Sequence, residues 1–142
     1  MSPYLVASLS VIPGLGHWVV GKRGKAIAFI FIDLSIIVSL FFFKSLAGYL
    51  LIFLGYLMAM IPAVFETYAL ARGGESGFSE SKPYIVGMLL VEGFAALPLL
   101  WQSPSFSRRD KIAWSIAVPV LAVIYLSSLG VFGLRFLNHF KI

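Results

Sequence analysis

The sequence predicts an all-α integral membrane protein with about four transmembrane helices and an N-terminal re-entrant or kinked helical hairpin. Hydrophobic residues make up 60% of the 142 residues and charged residues only 12%, whereas about 25% of an average soluble domain is charged. Eleven basic and six acidic side chains are too few to cover a soluble core of this size. The composition excludes an ordinary soluble enzyme and predicts a single membrane domain over residues 1–142.

Four apolar runs are long enough to cross a bilayer, which takes about 20 helical residues. They cover residues 24–43, 46–71, 84–103 and 112–137. A stretch rich in Gly and Ser over residues 73–83 predicts a flexible loop, which separates residues 1–72 from a second helix pair in residues 84–142. We expect each run to form one transmembrane helix.

A fifth apolar stretch, residues 4–20, is interrupted by Pro13-Gly14-Leu15-Gly16. Proline removes a backbone donor and glycine weakens a helix, so a straight span is not expected. Broken backbone at membrane depth is tolerated only where protein covers it or water reaches it. We therefore expect a re-entrant or kinked hairpin packed on the other helices, with a marginal fifth crossing as the alternative.

Basic residues indicate the orientation. Lys22, Arg23 and Lys25 cluster in one short connection, which the positive-inside tendency places in the cytoplasm. Four crossings would put seven basic residues inside and four outside, whereas a run 84–103 that fails to cross, because of Pro98, would give eight and three. We expect four crossings because a 20-residue apolar run is the stronger signal.

One glycine motif resembles a nucleotide-binding loop but lacks the residues that the chemistry needs. The segment from Gly16 to Lys22 has the spacing of a phosphate-binding loop, yet Arg23 stands where Ser or Thr would bind magnesium, and no strand precedes it. The sequence holds no cysteine, which excludes thiolate and disulfide chemistry. We expect no nucleotide, no nucleic acid, no metal and no cofactor, and we expect the basic connections to face lipid head groups.

Residues 10–26, SVIPGLGHWVVGKRGKA, resemble the PGLGH/Q signature of small bacterial membrane proteins of unknown function. These proteins are similar to the two-transmembrane-helix domain family. In such proteins a second helix commonly ends in an acid-Ala-Tyr-x-x-Ala-Arg pattern, and residues 66–72, ETYALAR, occupy that place here. The resemblance covers about residues 8–73. It implies a bacterial membrane protein and carries no known activity.

Acidic residues within apolar runs are the sharpest functional signal. Asp33 and Glu92 lie near mid-membrane in their runs, where an ionised side chain costs about 2.5 to 3.5 kcal/mol on insertion scales. Two interpretations stay open. With His17, the acids could relay protons or cations, or they could be neutral and hydrogen-bonded structural groups.

Glu66 lies nearer to a helix end than the two deep acids, six residues before Arg72. We expect it to form a salt bridge with Arg72 or Lys82. Together with His17, it completes the candidate relay or polar network. No nucleophile accompanies these groups in a recognisable motif, so we expect no enzyme.

Small residues predict close helix packing. Gly55, Ala59 and Ala63 follow one another at intervals of four and form a smooth stripe. Gly14 and Gly16 would let the broken hairpin approach a neighbouring helix.

Three function classes follow from these features. The leading hypothesis is a non-catalytic subunit that packs against or stabilises a larger complex in the bacterial inner membrane, as a multi-pass protein. Its expected partners are the lipid bilayer and other integral membrane subunits. The alternative is a small transporter or a proton- or cation-conducting protein that uses Asp33 and Glu92. A lipid-modifying enzyme would need a polar interfacial pocket around His17, Glu66 and Arg72.

Overall fold

The computed structural model describes residues 1–75 and 77–139, with side chains in the last helix described as far as residue 125 and at residue 127. The regular structure of these ranges is entirely helical, which confirms the all-α class. The seven α-helices are α1 (Pro3–Leu9), α2 (Leu15–Val19), α3 (Arg23–Phe42), α4 (Leu46–Ala71), α5 (Lys82–Val91), α6 (Leu97–Gln102) and α7 (Arg108–His139). Short 3-10 turns cover Phe78–Glu80 and Gly93–Ala96.

Helices α3 and α4 match two of the predicted crossings. They have 20 and 26 residues, or lengths of about 30 and 39 Å at 1.5 Å per residue. A three-residue connection joins them, and its last residue, Ser45, caps α4 by accepting a hydrogen bond from the Gly48 amide at 3.1 Å. Within residues 1–75 and 77–125, these two helices are long and apolar enough to cross a membrane.

The predicted crossing over residues 84–103 is wrong, because this run folds as a hairpin. Helix α5 ends at Val91, and Gly93 then adopts a φ of +56°, a left-handed conformation that turns the chain. The ends of the hairpin meet, since the Ser103 hydroxyl donates to the carbonyl of Glu80 at 2.8 Å. Ten residues in α5 span only about 15 Å, half of the hydrocarbon thickness. The run therefore returns to the end of the molecule from which it started.

The fourth run, residues 112–137, lies within α7. Helix α7 begins with four charged residues, Arg108-Arg109-Asp110-Lys111. It packs on the hairpin formed by α5 and α6, which we call the second hairpin, where the Lys111 ammonium donates to the Trp101 carbonyl at 2.9 Å. Most side chains in the second half of this run lie outside the described ones. The crossing predicted for it stays a prediction.

The N-terminal stretch is also broken, at the predicted place. Helices α1 and α2 are separated by turn residues 10–14, and Gly14 has a φ of +94°. A Cβ at Gly14 would lie 2.8 Å from the carbonyl oxygen of Ala26, so only glycine allows this approach to α3.

This first hairpin lies along α4. At one end of it, the ring of Tyr4 lies 5.5 Å from that of Tyr68. At the other end, the hydroxyl of Tyr56 donates to the carbonyl of Val11 at 2.5 Å. Tyr56 and Tyr68 are about 18 Å apart along α4. The chain then returns to bring His17 beside Glu66. Both hairpins therefore enter and leave at the end of the α3–α4 pair where α3 begins and α4 ends.

The core lies where α3 and α4 meet the second hairpin. Its largest fully buried side chains include Phe29, Ile32, Ile85, Met88 and Leu100. The predicted stripe of Gly55, Ala59 and Ala63 is buried among these elements, so the chain's own helices cover it. The predicted flexible loop over residues 73–83 contains the 3-10 turn Phe78–Glu80, and Ser79 within that turn is buried.

Candidate functional site

The polar side chains around α3 and α4 form two groups, which lie at different positions along these helices. The first, which we call the basic-end cluster, contains His17, Lys25, Glu66, Ser79 and Glu80. The second, the deep carboxyl pair, contains Asp33 and Glu92.

Glu66 is the centre of the basic-end cluster. It is fully buried on α4, and one carboxylate oxygen, Oε1, accepts a hydrogen bond from the Lys25 ammonium. The other oxygen, Oε2, accepts a bond from the backbone amide of Ser79 at 3.3 Å. Each carboxylate oxygen thus has a donor, which offsets part of the cost of removing the charge from water.

Lys25 joins three parts of the chain. Its side chain, only 12% exposed, extends from α3 to Glu66 on α4 and to Glu80 in the 3-10 turn, whose Oε1 lies 2.7 Å from the ammonium nitrogen. The carbonyl of Glu80 in turn accepts the hydrogen bond from Ser103 at the base of the second hairpin. One lysine therefore connects both long helices to the second hairpin.

His17 attaches the first hairpin to the same cluster. Its imidazole is fully buried and stacks on Phe29 of α3 with ring centroids 4.9 Å apart. Its Nε2 atom lies 3.9 Å from Glu66 Oε2, which is longer than a hydrogen bond. Neither ring nitrogen has a hydrogen-bond partner among the described residues.

Behind Glu66, the first hairpin is held by a hydroxyl pair. The oxygens of Ser10 and Thr67, both fully buried, lie 2.7 Å apart. Gly16 closes over them, since a Cβ there would lie 1.7 Å from Ser10 Oγ. Gly14 and Gly16 thus both lie where the backbone closely approaches neighbouring atoms.

The basic-end cluster opens to the surface through two adjoining cavities of about 390 and 520 Å³. Lys22, Lys25 and Glu80 line both of them. The walls therefore carry both signs of charge. In the ranges that the structure describes, no three His, Cys, Asp or Glu side chains come together as metal ligands would.

The deep carboxyl pair forms where the second hairpin turns. Glu92 caps α5 immediately before the turn, and a Cβ on Gly55 would lie 2.0 Å from its Oε1 atom. Gly55 of the small-residue stripe therefore makes room for this carboxyl. Asp33 of α3 has the Glu92 carboxyl as its titratable neighbour. Asp33 Oδ2 is buried and lacks a hydrogen-bond partner among the described residues.

An apolar layer separates the two groups. Lys25 and Asp33 are eight residues apart on α3, or about 12 Å, and the intervening Phe29 and Ile32 are fully buried. Between the two groups, the hydroxyl of Tyr84 donates to the carbonyl of Met58 at 3.1 Å. The predicted four-residue network is thus two pairs, His17 with Glu66 and Asp33 with Glu92.

Glu66 forms a salt bridge, but the partners predicted for it, Arg72 and Lys82, are wrong. The guanidinium of Arg72 lies over the ring of Tyr68, 5.7 Å from its centroid, and the ammonium of Lys82 lies over Phe106 at 5.8 Å. Lys25 pairs with Glu66 instead. The interfacial pocket considered around His17, Glu66 and Arg72 therefore lacks its arginine.

Sequence reasoning missed Lys25, Ser79, Glu80 and Tyr84 as parts of the site. Lys25 lies four residues before Phe29 on α3, and residues at this interval share one helix face. That interval was the available signal that Lys25 faces inward. Ser79 and Glu80 carried no comparable signal, because their positions depend on how the connection after α4 folds.

No family model, curated protein or solved structure matches this chain. The resemblance of residues 8–73 to the two-transmembrane-helix domain family therefore stays a prediction.

Proposed function

We propose that the protein is a non-catalytic integral membrane subunit that packs against or stabilises a larger bacterial membrane protein complex. The observation that carries this proposal is the apolar surface of α3 and α4. Only 28% of the most apolar window of each helix is buried within the chain. The core helix of a soluble protein would be mostly buried, so these helices need lipid or another membrane protein around them.

The basic-end cluster supports a structural role. Lys25 satisfies Glu66 and Glu80 at once, and it thereby joins elements that are distant in the sequence. The carboxylate that would be the reactive group is fully buried. Such an arrangement stabilises a fold around its helices, and Glu66 is not among the residues that line the two cavities at this end.

We place the beginning of α3 on the cytoplasmic side of a bacterial inner membrane, as part of a multi-pass protein. A second hairpin that returns to its starting side puts Arg108, Arg109 and Lys111 on the same side as Lys22 and Lys25. If α7 crosses, eight of the eleven basic residues lie on that side. The positive-inside tendency favours this distribution over the seven that four crossings would give.

Purification from the native membrane tests the proposal. We expect a tagged copy, expressed from its own locus and extracted in a mild detergent, to elute with one or more other membrane proteins in fixed stoichiometry. An unrelated tagged membrane protein of similar size, extracted in parallel, controls for adventitious association. Recovery of the chain only as a lone monomer would overturn the proposal.

A second candidate function is proton or cation conduction through the deep carboxyl pair. The position of Tyr84 favours it, because its hydroxyl donates to the carbonyl of Met58, which lies on α4 between Glu66 and Gly55, the neighbour of Glu92. Flux of protons and of Na⁺ into liposomes that contain the purified protein tests this candidate. If the protein conducts, the wild type should show a flux that Asp33→Asn and Tyr84→Phe each reduce at least about tenfold. A wild type without flux eliminates this candidate function.

A further inference from the structure

Asp33 lies at the edge between the buried and the exposed face of α3. On one side of it, Phe29 and Ile36 are covered by the rest of the chain. On the other side, Leu34 and Ile37 are 54% and 52% exposed. Helix geometry places Leu34, Ile37 and Phe41 in one stripe, because Ile37 and Phe41 follow Leu34 by three and by seven residues. A second helix that lies along this stripe would cover Asp33 from outside.

Asp33 has no cation of its own. The ion pairs among the described side chains all involve Glu66 or Glu80. The titratable neighbour of Asp33 is a second acid, Glu92. A half-buried carboxyl therefore lies at the edge of an exposed apolar face of a candidate membrane span, without a cation among the described side chains, and an ionised group at mid-membrane depth is costly unless it is paired.

A second copy of this chain does not supply the missing positive charge. Its basic residues lie at or near the ends of the apolar runs in the sequence, and none lies in the middle of a run. Two copies that met through this face would place acids near acids, an arrangement that disfavours association. Charge complementarity thus points to a different chain.

We propose that the face of α3 formed by Leu34, Ile37 and Phe41 beside Asp33 docks a transmembrane helix of another membrane protein, which carries a lysine or arginine at mid-membrane depth. This inference rests on the proposed function as a membrane subunit, and it names the chemistry of the partner. The apolar stripe packs against the partner helix, and the carboxylate accepts a charge-assisted hydrogen bond from its cation. Pairing relieves the cost of both charges in the bilayer.

Binding of designed peptides tests the proposal without the native partner. The full-length protein, labelled at a single cysteine in Gly77→Cys, is reconstituted in liposomes of phosphatidylethanolamine and phosphatidylglycerol. The probes are polyleucine transmembrane peptides with a central Lys, Leu or Glu, each carrying an acceptor dye for energy transfer. We expect the Lys peptide to bind about tenfold more tightly than the Leu peptide, and the Glu peptide to bind no better than the Leu peptide.

Matched variants identify the acid responsible. The preference for the Lys peptide should vanish in Asp33→Asn and persist in Asp33→Glu. It should also persist in Glu75→Gln, which neutralises an exposed acid in the connection after α4. Equal binding of the Lys and Leu peptides by the wild type, or a preference that survives Asp33→Asn, would overturn the proposal. Energy transfer between two labelled copies that the Lys peptide cannot displace would assign the face to self-association and would overturn it too.

The native membrane separates this inference from the function on which it rests. A wild-type chain recovered alone contradicts the proposed function. A stoichiometric complex that survives unchanged in Asp33→Asn leaves the proposed function standing and overturns the inference. Loss of the partner from Asp33→Asn, but not from Glu75→Gln, supports both.

Discussion

Glu66 and Asp33 are acids on neighbouring apolar helices, and their surroundings differ in one decisive respect. Glu66, near the end of α4, has a donor for each carboxylate oxygen, from Lys25 and from the amide of Ser79. Asp33, about halfway along α3, has a buried oxygen without a partner among the described residues, and a second acid acts on it. The chain compensates the first charge internally and leaves the second, half-buried carboxyl without a cation among the described side chains.

This difference separates two roles that a buried acid can have. A compensated acid holds elements together, and its removal or that of its partner costs folding energy. An uncompensated acid in the middle of an apolar helix costs stability in the isolated fold, and the partner cation that we propose would offset that cost. The contrast can be measured, because substitutions at the two positions should have effects of opposite sign.

The largest effect is expected for Lys25→Met. It leaves Glu66 buried without a cation, and we expect the free energy of unfolding to fall by about 3 to 5 kcal/mol. Titration with SDS in mixed micelles measures it. Lys22→Met, three residues earlier and exposed, is the matched control and should change stability by less than about 0.5 kcal/mol. Equal effects of the two variants would show that Glu66 does not need its lysine, whereas recovery in Lys25→Met/Glu66→Gln would confirm that it does.

A smaller loss is expected for Gly16→Ala at the base of the first hairpin. The new Cβ would lie 1.7 Å from Ser10 Oγ and 3.0 Å from the Val6 carbonyl oxygen, and such overpacking costs about 1 to 3 kcal/mol. Gly55→Ala is the counterpart at the deep carboxyl pair. Its closest neighbour is the end of the Glu92 side chain, which can move, so the same assay should give a loss of less than about 1 kcal/mol. A larger loss at Gly55 than at Gly16 would reverse the comparison.

A gain of stability is expected for Asp33→Leu in the isolated protein. Removing an uncompensated carboxyl from the middle of an apolar helix should raise the free energy of unfolding by about 1 kcal/mol. The isosteric Asp33→Asn should show no loss beyond about 0.5 kcal/mol in the same titration. If either variant loses as much stability as Lys25→Met, then Asp33 is compensated within the chain and the contrast with Glu66 fails.

The smallest effect is expected for Ser79→Ala. Glu66 accepts its hydrogen bond from the backbone amide of Ser79, and the buried hydroxyl has no partner among the described residues. Thermal unfolding in detergent should therefore show a change below about 0.5 kcal/mol. Ser103→Ala is the control, because its hydroxyl donates to the Glu80 carbonyl and accepts from the Ser105 amide. It should cost about 1 kcal/mol, and a reversed order would contradict the assigned contacts.

Composition and run length predicted part of this fold. They identified the all-α class, the positions of α3 and α4, and the break at Pro13 and Gly14. They failed at residues 84–103 because apolar content alone does not distinguish one full-length helix from two half-length helices. The turn at Glu92 and Gly93 depends on a left-handed glycine, and a single glycine in an apolar run is a weak signal for it.

The site was predictable only where a residue was unusual for its surroundings. Asp33, Glu66 and Glu92 were identified because acids in apolar runs are costly. Their partners were not, since Lys25 and Glu80 are ordinary residues for connections and helix ends. Long-range contacts decide which acid is compensated. Lys25 and Glu66 are 41 positions apart in the sequence, and no local pattern encodes such a contact.

Single-cysteine labelling tests the central claim most directly, namely that residues 82–102 dip into the membrane and return. The natural chain has no cysteine, so Gly77→Cys, Ser105→Cys and Lys44→Cys can each report one connection to a membrane-impermeant maleimide in intact and in inverted vesicles. The account predicts that the cysteines at 77 and 105 react from the same side of the membrane and that the one at 44 reacts from the other. A cysteine at 105 that reacts together with the one at 44 would contradict it.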